Sequence, residues 1–212
     1  MTKEAQYKSQ MANYLPDSAV DTVFDFLNRH EVYFHITRRR SSKLGDYRMP
    51  QPKYNYHEIS VNGDLPPHLF LLVLLHEMAH LNTFLIHGRS VQPHGHEWQQ
   101  QYRLLIVQYW NEGHFPTEAT PYIRKYTARI PLNSVAGVEL EHFLRRYDRP
   151  TSMPVTLLRN LPIGSLFRIK ERPEILFRSV EKRRTRYQCV DENTKLSFLV
   201  SGNAEVVVVS NE

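Results

Sequence analysis

The chain has 212 residues, enough for one large domain or a main domain with a small appendage, and its 41% apolar and 23% charged residues suit a globular protein with a core. A single cysteine, Cys189, excludes an internal disulfide framework and any cysteine-built zinc site, and is compatible with a reducing cytoplasm. The net charge of +5 and pI near 9.3 permit contact with a nucleic acid without demanding it.

The opening stretch, MTKEAQYKSQMANYLP, lacks the apolar core of a signal peptide, and a cytoplasmic protein is the expectation. Residues 3–13 and 17–30 read as helices. In the second, Ala19, Val20, Val23, Phe24 and Leu27 form an apolar stripe at 3/4 spacing behind Pro16. VYFHITR reads as a strand, SSKLGDYRM as a turn and a second strand, and the alternation of YHEISVN as a third. NGDLPP breaks the chain and opens a helix, because proline costs nothing in a first helical turn. That helix should run from about Pro67 to His87 and stop at Gly88. Its uninterrupted apolar run, Leu69 to Leu75, falls far short of the roughly 20 residues of a membrane span, so a soluble protein is expected. HEWQQQYRLLIVQYW places Trp98, Tyr102, Leu105, Ile106 and Tyr109 on one face of a further helix. Between 113 and 150 only SVAGVELEHFLRRY carries a helical pattern.

From Pro154 the texture changes. SLFRI, ILFRSV, RYQCV, KLSFLV and EVVVV are short β-rich runs separated by turn residues, which predicts a small all-β, barrel-like module of five strands. The boundary falls near DRPTSMP, giving domains of 1–150 and 151–212. The fold class expected is α+β, with helices and a small antiparallel sheet in the first domain.

Inside the apolar helix stand His76, Glu77 and His80, in HEMAH. Positions four apart on a helix lie one above the other, close enough for both imidazoles to reach one ion. Glu77, turned by about 100°, cannot join the same ligand shell but can address a water beside the metal. Unpaired, these three groups would lose several kcal/mol of solvation, and a dication removes that cost. The competing structural reading is two core histidines satisfied by backbone carbonyls.

A catalytic zinc usually takes three protein ligands. A metzincin would need Gly at 83 and His at 86, where Thr83 and Ile86 stand. His87 lies about 10 Å further along the axis than His80. Glu97 or Glu112 would serve a gluzincin-type site. His94 and His96, in QPHGHEW, open the next helix, which an antiparallel turn returns to the His76/His80 face; spacing alone puts His94 only slightly ahead.

HEMAH, thirteen residues, then PHGHEW resembles the SprT-like zinc metallopeptidases, the family of the DNA–protein-crosslink protease Spartan. LGDYR and YHEISVNGDLP resemble the strands ahead of the family's metal helix, and the likeness covers roughly residues 15–115. The resemblance implies His76, His80 and His94 as ligands of one zinc ion, Glu77 as general base, and proteins bound to or near DNA as substrates. It departs from the family at the C-terminus, where many members carry a cysteine-built zinc ribbon that one cysteine cannot make.

Arg89, His96 and Tyr102 are near enough in sequence to serve an oxyanion, and Trp98 should pack the second helix on the first. Three basic clusters stand out: RRR at 38–40, RR at 145–146 and KRRTR at 182–186. Lys182, Arg183, Arg184 and Arg186 are candidates for phosphate contact, against a solvated strand edge guarded by charge. His87 and His114 are expected at the surface and Cys189 in the core. The rival to an enzyme is a zinc-containing adaptor that binds nucleic acid or protein through the basic module.

Overall fold

The computed structural model describes residues 2–40, 42–52, 54–128, 135–148, 156–170 and 172–209, and its contacts divide the chain into Met1–Pro150 and Thr151–Glu212. The segment DRPTSMP lies, apart from Asp148, outside the described residues. The architecture is α+β.

In the first unit α1 (Lys3–Met11) begins at Thr2, whose Oγ1 accepts the Ala5 amide at 3.2 Å. A turn of 3₁₀ helix at Asp17–Ala19 leads into α2 (Val20–Arg29), which buries Val20, Val23 and Leu27 of the expected stripe. Then come β1 (Val32–Thr37), β2 (Gly45–Arg48) and β3 (His57–Asn62), in the spatial order β1-β3-β2. The sheet is mixed rather than antiparallel, since β3 runs parallel to β1 and antiparallel to β2. The chain reverses on both sides of β2, so β3 regains the direction of β1 and slots between the two.

The helix α3 (Pro67–His87) buries residues on every side, among them Leu69, Phe70, Leu74, Leu75, Met78 and Leu81. A helix apolar all round belongs in a core, and each such leucine contributes about 1.5–3 kcal/mol on burial. Its length and mean hydropathy of 1.7 would also suit a membrane span, but 61% of that window is buried inside the protein itself. Pro66 and Pro67 offer no side-chain cap. Asp148, at the end of α6 (Val135–Asp148), supplies it: one carboxylate oxygen accepts the His68 amide at 2.7 Å and the other meets His68 Nδ1. Gly88, with φ +66°, ends the helix. Packed on α3, α4 (His96–Asn111) buries all five residues read as its apolar face. Between α4 and α6 lies α5 (Thr120–Ala128), which carried no recognised pattern.

Among the described residues the second unit forms one antiparallel sheet of six strands, not five, in the order β4-β9-β5-β6-β7-β8. These are β4 (Thr156–Leu157), β5 (Leu166–Ile169), β6 (Arg172–Arg183), β7 (Arg186–Asp191), β8 (Ser197–Ser201) and β9 (Glu205–Val208). The extra strand has two residues, too few for any alternation to register. Leu158, Phe167, Phe177, Tyr187, Cys189, Val200 and Val206 form the core. Burial pushes the Cys189 thiol up to about 11, so it stays protonated and inert at neutral pH.

Candidate metal centre

His76 and His80 stand one turn apart on α3, with ring centroids 5.1 Å apart. After Gly88 the chain doubles back, and the turn closes with the Gly95 amide on the Gln92 carbonyl at 2.9 Å. His94 takes a left-handed backbone there, φ +62°, a conformation that costs a residue with a Cβ about 1–3 kcal/mol. The Gln99 side-chain Nε2 donates to the His94 carbonyl at 3.0 Å. This strained residue brings its ring back onto α3: His94 Nε2 lies 3.1 Å from His76 Nε2 and 3.0 Å from His80 Nε2.

Three imidazole nitrogens so close cannot satisfy one another, because a neutral ring has one N–H to give. Nitrogens bound to a common ion at 2.0–2.1 Å would stand about 3.3 Å apart in tetrahedral geometry, so the donor set fits a single cation. Burial and the neighbouring rings hold His76 down to about 3 and His80 to about 4, and burial lowers His94. All three thus present lone pairs at neutral pH, as metal ligation requires. Among the described residues, this is the group that could hold a metal ion.

Trp98, 1% exposed, forms the floor, its ring 4.6, 5.3 and 4.7 Å from those of His76, His80 and His94. It packs α4 on α3 as expected and also backs all three rings. Tyr47, on β2, stacks on His80 with planes 3° apart. Glu77 points into the same cavity, of about 640 Å³. Its carboxyl is pushed up to about 8, mainly by burial and then by the Asp46 charge, against Arg40, Lys43 and a hydrogen bond from the Tyr47 amide.

Of the remaining candidates, His96 is the exposed first residue of α4 and stands outside the cluster. Neither Glu97 nor Glu112 lines the cavity. Arg89 lines it but donates to the Pro50 carbonyl at 3.0 Å, and buried Tyr102 donates to the Leu72 carbonyl at 3.3 Å. His87 is exposed. His114, expected at the surface, is 7% exposed. Its Nε2 lies 3.1 Å from Thr22 Oγ1 and 3.2 Å from Glu112 Oε2, a tie between α2 and the end of α4 that spacing could not reveal. Lys182, Arg183, Arg184 and Arg186 lie on the β6–β7 hairpin of the second unit. Gly45 and Tyr47 were missed; the available signal was a glycine inside a strand pattern, which marks a close approach.

Neither the curated proteins nor the solved structures contain a match to this chain. A model of the SprT-like family matches residues 12–120, a span that takes in β1 to β3, α3 and α4 with all three histidines and Glu77. That family is associated with metallopeptidase activity, and the match extends over half of the chain: the protein belongs to the SprT-like family.

Proposed function

We propose that the protein is a zinc-dependent endopeptidase acting on proteins bound to or near DNA. The observation that carries this reading is the convergence of His76 Nε2 and His80 Nε2 on His94 Nε2, at 3.1 and 3.0 Å, beside a buried carboxylate in an open cavity of about 640 Å³. His76, His80 and His94 would hold the ion. Zinc bound there would supply Lewis acidity toward water and a peptide carbonyl, and its charge would draw Glu77 toward the ionised form. Glu77 then takes a proton from the attacking water at a carboxylate oxygen and returns it to the amine of the cleaved bond. The cavity's apolar wall, Leu69, Leu72 and Val73 on α3, excludes water from that transfer and accepts substrate side chains.

The DNA component draws on the hairpin. Arg183 is engaged by Glu181 at 3.3 Å and Gln188 at 3.0 Å, whereas Lys182, Arg184 and Arg186 are exposed and have no acidic partner among the described residues. A non-catalytic adaptor would use those cations equally well, but a structural zinc site needs neither a cavity nor a base. Glu77→Gln separates the two readings. The variant should keep one zinc per chain and cleave a denatured protein substrate about 10²–10⁴-fold more slowly than the parent, the usual worth of a general base. Parent-like cleavage by the glutamine variant would remove Glu77 from the reaction, and no cleavage by zinc-loaded parent would favour the adaptor.

A further inference from the structure

β2 is an edge strand, paired only with β3 among the described residues. The Asn62 amide donates to the Leu44 carbonyl at 2.9 Å. In an antiparallel ladder this phasing turns residues 44, 46 and 48 toward β3 and sends the amides of 45 and 47 off the free edge. There the Tyr47 amide faces the Glu77 carboxylate. Gly45 lies against the same side chain. A Cβ built on it would collide with Glu77 Oε1 and stand 2.8 Å from Cγ and 2.9 Å from Cδ. Nothing else about position 45 asks for glycine, since its φ is not among the positive ones and a glycine inside a strand weakens it. The same strand also reaches a metal-site histidine, because the Tyr47 ring stacks on His80 while its hydroxyl meets His57 Nδ1 at 3.0 Å.

We infer that Gly45 is a positioning residue for Glu77: its missing Cβ and the Tyr47 amide together seat the carboxylate between β2 and α3. The catalytic consequence rests on the peptidase reading above; the seat itself does not.

The test is a double-mutant cycle read in two ways. Gly45→Ala is made in the parent and in Glu77→Ala, and both pairs are melted after metal removal with EDTA. In the parent the new methyl meets the carboxylate, and the melting temperature falls by about 3 °C or more. In the Glu77→Ala background the space is free. Alanine then raises the melting temperature by about 2 °C, because it restricts the unfolded chain more than glycine does. Shifts of the same sign and size in both backgrounds would overturn the inference. With zinc restored, Gly45→Ala should lower kcat about 100-fold, the cost of a base displaced by about 1 Å, and leave KM within about twofold. It should add no further loss to Glu77→Gln. A parent-like kcat in Gly45→Ala would also overturn the inference. Should zinc-loaded parent hydrolyse nothing, the peptidase reading fails, and the melting cycle still decides whether Gly45 seats the carboxylate.

Discussion

Asn62 is fully buried and uses every hydrogen-bonding capacity of its side-chain amide. Its Oδ1 accepts from Arg40 Nε at 2.8 Å and Thr37 Oγ1 at 3.0 Å, and its Nδ2 donates to the carbonyls of Arg40 at 3.2 Å and Lys43 at 3.1 Å. One residue thereby pins the loop that leads from β1 into β2, and with it the strand that seats Glu77. Leucine at 62 has nearly the same volume but would leave the Arg40 Nε–H and the carbonyls of Arg40 and Lys43 without the partners they have here. Asn62→Leu should lower stability in urea unfolding by about 2–3 kcal/mol, and a loss under about 0.5 kcal/mol would show that the loop does not depend on this amide. None of this could be read along the sequence, where Asn62 was the last letter of an alternating strand and Arg40 the last of a basic run. By contrast His76, Glu77 and His80 were legible, because four-residue spacing on a helix is a local geometric fact. The choice of His94 over His96 was not local. It depends on a left-handed residue at 94 turning the loop, and only a family resemblance anticipated it.

Among the elements, the legible ones were those whose burial is periodic. In α4 every residue read as apolar face is buried, and α3 announced itself by a long apolar run closed by glycine. Illegible elements were short or held by tertiary contacts. α5 buries only Ile123 and Tyr126, and two residues make no stripe. The parallel pairing of β1 with β3 depends on where β2 goes, and no alternation within a strand encodes that. The β6–β7 hairpin has a physical role of its own to test. Its tip is fixed, since Tyr187 is buried, the Gly202 amide donates to the Thr185 carbonyl at 3.1 Å, and Arg184 adopts φ +27°. A rigid tip presenting Lys182, Arg184 and Arg186 makes a phosphate contact inexpensive in entropy. Each contact should contribute about 0.9 to the slope of log affinity against log salt for duplex DNA. Replacing those three by alanine should therefore reduce the slope, measured by fluorescence anisotropy across a salt series, by roughly 3. An unchanged slope would remove the hairpin from nucleic-acid binding.

At the scale of the molecule, the two units differ in what they bury and in what charge they carry. Met1–Pro150 buries a large core around α3 and opens it on one side to the three histidines, while Thr151–Glu212 wraps a small core and holds 10 Lys and Arg against 7 Asp and Glu. The first unit holds His76, His80 and Glu77 where solvent is scarce, which is what shifts them from their ordinary ranges. The second keeps Lys182, Arg184 and Arg186 at the surface, where such charges contribute little to stability. The proposed peptidase chemistry therefore depends on the ion site. Anomalous diffraction at the zinc edge tests it most directly. One peak per chain is expected, about 2.0–2.1 Å from Nε2 of His76, His80 and His94, with no fourth protein ligand. A fourth side chain on the metal, or zinc-soaked crystals with no peak between those rings, would contradict it.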